Sequence, residues 1–118
     1  YVSLTHNDEN RFGGGNDAPG VGLKTDGQVF LEYLSGMNIA IDLAHTSDAL
    51  ARDIIECIDK YGLDIPLMAS HSNFRAIHKH ERNLPDDIVQ ELITRGGLIG
   101  MNFYRDFLHE SNPDALYD

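Results

Sequence analysis

Short apolar runs alternate along this chain with segments in which apolar residues return every three or four positions. Strand-length runs occupy Tyr1 to Thr5, 37–44, 65–70 and 98–103, and those at 37–44 and 65–70 are apolar on both faces, as suits parallel strands covered by helices. Between them the period changes to that of a helix. Thr25-Asp26-Gly27-Gln28 has the form of a capping box, and Val29, Phe30, Tyr33 and Leu34 follow at helical spacing, which predicts a helix from about 25 to 36. Thr46 or Ser47 caps a second helix with a stripe of Leu50, Ile54, Cys57, Ile58 and Tyr61, closed by Gly62. Pro85 opens a third, with Asp86 and Asp87 near the positive end of its dipole, a buried face of Ile88 and Leu92 joined by Val89 and Ile93, and Gly96-Gly97 at its end. Strand and helix thus alternate through four strands, which predicts an α/β fold of parallel strand-helix repeats with right-handed crossovers, about half of a (β/α)8 TIM-type barrel. Residues 1–118 read as the central portion of a single barrel domain. The segment from Asn7 to Gly22, with Gly13-Gly14-Gly15, reads as a flexible loop, and it lacks the Lys-Ser/Thr of a phosphate-binding loop.

Composition narrows the partners. The 118 residues are 42% hydrophobic and 24% charged, enough for one modest core. Nine Lys and Arg against 19 Asp and Glu give a formal charge of -10, which opposes phosphate neutralisation and argues against nucleic acid. No apolar stretch approaches the roughly 20 residues that cross a bilayer, and no membrane anchor is visible. The single Cys57 lies on an apolar helix face as an inert thiol and points to a reducing, cytoplasmic setting. The chain starts with strand character and stops at Pro113 to Asp118 as a helix begins, and so reads as a piece of something longer.

The candidate chemistry lies where strands end. The runs Ile39 to Ala44 and Ile65 to Ser70 each finish in a histidine, His45 and His71, followed at once by a hydroxyl residue and, later, a helix. Ligand sites of parallel α/β folds gather at such strand ends. One strand, one helix and one turn separate the two histidines, which places them on neighbouring strands as a metal-site geometry. Two imidazoles do not complete a catalytic zinc site, which takes three protein ligands and keeps one position open. Asp42 is the nearest carboxylate, but in a regular strand it faces away from His45 and is not expected to be a ligand. The basic segment from Asn73 to Arg82, with His78, Lys79 and His80, reads equally as an anion site or as a solvated helix face.

Tyr1-Val2-Ser3-Leu4-Thr5-His6-Asn7, Ile41-Asp42-Leu43-Ala44-His45-Thr46-Ser47, Ser70-His71-Ser72, Arg82-Asn83-Leu84-Pro85-Asp86-Asp87 and Met101-Asn102-Phe103-Tyr104 together resemble successive motifs of the membrane (renal) dipeptidases, binuclear zinc peptidases of the amidohydrolase superfamily. The resemblance implies zinc-dependent hydrolysis of dipeptides. It implies that His45 and His71 ligate one of two zinc ions, that His6 contacts substrate near the scissile carbonyl and helps stabilise the tetrahedral intermediate, and that Arg82 binds the dipeptide's free carboxylate. The family's His-x-Asp pair, its bridging glutamate and a later aspartate fall outside this chain, so the chain alone is expected to be inactive and to hold zinc weakly. The alternatives are an amidohydrolase-type barrel acting on another amide or lactam, and a catalytically silent interaction fragment. Half a barrel also leaves two unpaired edges and an open inner face, expected to carry Leu4, Ile41, Leu43, Leu67 and Ile99, so self-association, as a homodimer of half-barrels, is expected.

Overall fold

The apolar runs form strands β1 (Val2–Ser3), β2 (Ile41–Asp42), β3 (Leu67–Ala69) and β4 (Leu98–Ile99) in a computed structural model that describes residues 1–108. The helix expected to begin at Pro113 lies outside these residues. The strands stand side by side in chain order, all parallel, with Val2 beside Ile41 and Ile41 beside Leu67. One helix links each successive pair: α1 (Thr25–Leu34), α2 (Asp48–Tyr61) and α3 (Asp86–Thr94). A 3-10 turn at Arg105–Phe107 follows β4.

α2 forms as its sequence requires. Ser47 is its N-cap and accepts from the Leu50 amide at 2.8 Å, Gly62 ends it in the left-handed conformation at φ 59°, and Leu50, Ile54, Cys57 and Ile58 are buried. Tyr61 is half exposed. In α1 the expected capping box is not made. Lys24 is the N-cap without a side-chain bond, Thr25 lies inside the helix, and the Gln28 amide donates instead to Glu32. Its buried face is Gly27, Leu31 and Leu34, while Val29 and Tyr33 face outward at 59% and 72% exposure.

The strand faces are also opposite to expectation. Ile41, Leu43, Leu67 and Ala69 join Leu31, Leu50, Ile54, Ile58, Ile88 and Leu92 in one buried cluster, with Leu4 in it and Ile99 packed against it. These side chains therefore point at the helices. The other face of the sheet carries Ser3, Asp42 and Met68 abreast, and there Ser3 Oγ donates to Asp42 at 3.3 Å. The choice of face is strongly specified, because a one-residue slip would exchange every side chain between the buried and the open environment.

Two loops depart from the reading of the sequence. Gly13, Gly14 and Gly15 are buried rather than a flexible spacer. A Cβ on Gly15 would stand 2.3 Å from the Asn7 carbonyl oxygen, and one on Gly14 2.4 Å from that of Val21. The backbone of this loop binds the start of α2, with the Ser47 amide donating to the Gly14 carbonyl at 2.8 Å and Gly15 bridging Thr46. The basic segment is not a helix face. Phe74 bridges Leu84, and the Arg75 guanidinium pairs with Asp48 at 2.6 and 2.9 Å while donating to the carbonyls of His80, Glu81 and Asn83.

Candidate functional site

Parallel strands of one register end at one level, and this fold brings together the residues that follow β1, β2 and β3. The His6 and His45 rings stack with centroids 4.0 Å apart, and the His45 and His71 centroids are 5.0 Å apart. His45 Nε2 and His71 Nε2 face each other at 3.1 Å. The three imidazoles line a cleft of about 450 Å³ together with Ser3, Asp42 and Ser70.

The second nitrogen of each ring fixes what the first can do. His45 Nδ1 lies 3.0 Å from Asn16 Oδ1. The Asn16 amide is oriented by its own Nδ2, which donates to the Asp17 carboxylate at 2.7 Å, so the atom facing His45 is an acceptor and Nδ1 carries the proton. His71 Nδ1 lies 2.7 Å from Ser70 Oγ, and that hydroxyl donates its one proton to Asp42 Oδ2 at 2.5 Å. Ser70 Oγ is therefore an acceptor for His71 Nδ1–H. With both protons on Nδ1, both Nε2 atoms carry lone pairs, and two lone pairs 3.1 Å apart form no hydrogen bond with each other.

Electrostatics hold both rings neutral. Burial first, and the Arg82 charge second, bring His45 down from 6.5 to about 4, and the same two causes in the same order lower His71. Asp42 is 2% exposed and accepts from the amides of Ala44 and Ser70 and from the hydroxyls of Ser3 and Ser70. It lies on the cleft side of the sheet, reaches the histidine pair through the Ser70 hydroxyl, and serves as the polar core of three strand ends.

Arg82 is 4% exposed. Its Nη2 donates to the His71 carbonyl at 2.8 Å and its Nη1 to Ser72 Oγ at 3.1 Å, and Nε has no partner among the described residues. Burial lowers it to about 10, which leaves it charged at neutral pH. Among the described residues no carboxylate pairs with it, and a buried cation without a counter-ion is costly.

Of the four residues singled out in the sequence, His6, His45 and His71 line one cleft at the ends of β1, β2 and β3, whereas Arg82 is buried behind it against the His71 backbone and Ser72. Asn16 and Ser70 were missed. A hydroxyl residue next to a strand-end histidine is a local signal that could have pointed to Ser70, whereas Asn16 reaches His45 across 29 positions and leaves no spacing pattern. Two imidazoles suit a metal that takes nitrogen. Nitrogens about 2.0–2.1 Å from a tetrahedral zinc stand roughly 3.3 Å apart, close to the separation of the facing Nε2 atoms. Among the described residues no three His, Cys, Asp or Glu side chains converge on one metal position.

The model of the membrane dipeptidase family (peptidase family M19) matches residues 1–118. The dipeptidase aclJ of Aspergillus oryzae is 32% identical over 98% of this chain. The crystal structure of a metallo peptidase from Rhodobacter sphaeroides, liganded with a phosphinate mimic of the dipeptide L-Ala-D-Ala, is 30% identical with a TM-score of 0.66 over 75% of this chain and 24% of its own. An amidohydrolase from Pseudomonas aeruginosa, 24% identical, shares the fold with a TM-score of 0.76 over 91% of this chain and 31% of its own. The chain spans about a quarter of the length of the curated relatives it matches.

Proposed function

Because this chain belongs to the membrane dipeptidase family, we propose that it supplies part of the active site of a zinc-dependent dipeptidase. The observation that carries this reading is the pair of Nε2 lone pairs facing each other at 3.1 Å, each opposite an Nδ1 held by an acceptor. His45 and His71 are the residues that would hold one zinc ion, the remaining ligands lying outside this chain. Zinc, when bound, lowers the pKa of water toward neutrality and polarises a peptide carbonyl. His6, exposed on the cleft and stacked on His45, is placed to donate to the carbonyl oxygen as charge develops on it. Arg82 has no carboxylate partner among the described residues and is buried beside His71, and a guanidinium matches a carboxylate in two-pronged geometry. This favours a substrate with a free carboxylate, a short dipeptide, over a neutral amide or lactam. A dipeptide mimic in the Rhodobacter relative supports the same substrate class.

The test is made in the barrel that contains this chain. Dipeptide hydrolysis should vanish on chelation, return with zinc, and fall steeply in His71→Ala, whose side chain is exposed and whose fold is checked by circular dichroism. Full activity in His71→Ala would refute the assignment. A folded barrel that hydrolyses no dipeptide under any metal would leave the silent interaction fragment as the better reading.

A further inference from the structure

The Gly-rich loop binds both the backbone that carries His6 and the turn that carries His45. Gly15 packs so close to β1's end that an added Cβ would meet the carbonyl oxygens of Asn7 at 2.3 Å and His6 at 2.4 Å, and the same glycine bridges Thr46. Asn16 follows directly, half-buried, with Nδ2 spent on Asp17 and Oδ1 aimed at His45 Nδ1. His71 has an equivalent partner from a different element, the Ser70 hydroxyl backed by Asp42. Two unrelated devices thus produce one result on adjacent strands.

We propose that Asn16 is a positioning residue: the glycine-packed loop presents its amide oxygen to His45 Nδ1, and that contact fixes the ring's tautomer and rotation so that Nε2 presents its lone pair beside that of His71. Partners of this kind orient metal-binding imidazoles and raise their basicity, and their removal typically weakens metal binding by about 10–100-fold. The consequence for metal rests on His45 and His71 being ligands, whereas the consequence for the tautomer does not. The close packing of Gly15 explains why the loop has no freedom to carry the amide elsewhere.

The decisive experiment is nitrogen NMR of the histidine rings in the 118-residue chain, at mildly alkaline pH without metal, followed by zinc titration. In the parent chain His45 should carry its proton on Nδ1. Asn16→Ala should lose that state, while Asn16→Asp, which keeps an acceptor, should retain it. His71, held separately by Ser70, should keep its tautomer throughout and report that the strand ends are intact. On adding zinc, Asn16→Ala should bind about 10–100-fold more weakly than the parent and Asn16→Asp at least as tightly as the parent. A proton on Nε2 of His45 in the parent, an unchanged His45 in Asn16→Ala, or loss of the His71 state along with that of His45 would each overturn the proposal. A parent chain that binds no zinc would refute the ligand reading of His45 and His71 alone, because the metal-free tautomers still decide the role of Asn16.

Discussion

Arg82 shows how one residue can be legible in type and hidden in setting. Its resemblance to a carboxylate-binding arginine is visible in the sequence, but its burial to 4% exposure and its bond to the carbonyl of His71 are not, because they depend on the unforeseen path of residues 73–85. In the intact barrel, Arg82→Ala should lower kcat/KM for a free dipeptide by about 100-fold or more, and Arg82→Lys should recover only part, since an ammonium cannot form the two-pronged contact. An amidated dipeptide should be affected far less. Equal losses on both substrates would make Arg82 a support for His71 rather than a substrate residue. His45 makes a second prediction at this scale. Its folded pKa of about 4 lies below the usual 6.5, so the unfolded chain binds the extra proton first. Stability is then complete above about 6.5 and falls as pH drops from 6.5 toward 4. Denaturant unfolding of the metal-free His45→Gln variant across that range should show a shallower fall than the parent, and an identical slope would remove His45 as the cause.

At the scale of elements, the helices followed from period and punctuation. Ser47 and Gly62 both stand where local chemistry puts them, and so α2 was legible end to end. The capping box of α1 failed because Thr25 sits one position inside the helix, a boundary that local pattern leaves loose. The strand faces failed for a different reason. Runs apolar on both sides carry no alternation to tell inside from outside, and here the discriminating residue was Asp42, whose four acceptor bonds place it away from the helices. Ser47→Ala removes both the cap to Leu50 and a 2.6 Å bond to the Val21 carbonyl, and should cost about 1–2 kcal/mol. Gly15→Ala forces a Cβ against backbone oxygens of Asn7 and His6 and should cost about 1–3 kcal/mol. Chemical denaturation of both variants measures these losses, and a Gly15→Ala chain as stable as the parent would return the loop to the status of a spacer.

For the whole molecule, four parallel strands with helices on one face form half the strand complement of a (β/α)8 barrel, and the alternation in the sequence was enough to show it. The rest of the site was not legible because the partners of His45 and Arg82 come from distant parts of the chain, with Asn16 29 positions from His45 and the His71 carbonyl 11 from Arg82. The outer edges of β1 and β4 are unpaired within the sheet, and Tyr33, Leu98 and Phe103 are 72%, 63% and 76% exposed. Such surfaces favour association, and the charge of -10 opposes it until salt screens it over a Debye length of about 10 Å at 0.1 M. Light scattering should therefore show the isolated chain associating more as salt rises, and a monomer at every salt concentration would contradict this. The measurement that bears most directly on the account as a whole is calorimetric titration of zinc into the isolated chain and its histidine variants. It should show one weak site per chain that disappears in His45→Ala and in His71→Ala and persists in His80→Ala. Zinc binding that survives loss of His71, or that depends on His80, would contradict the paired imidazoles as the metal-holding edge of this fold.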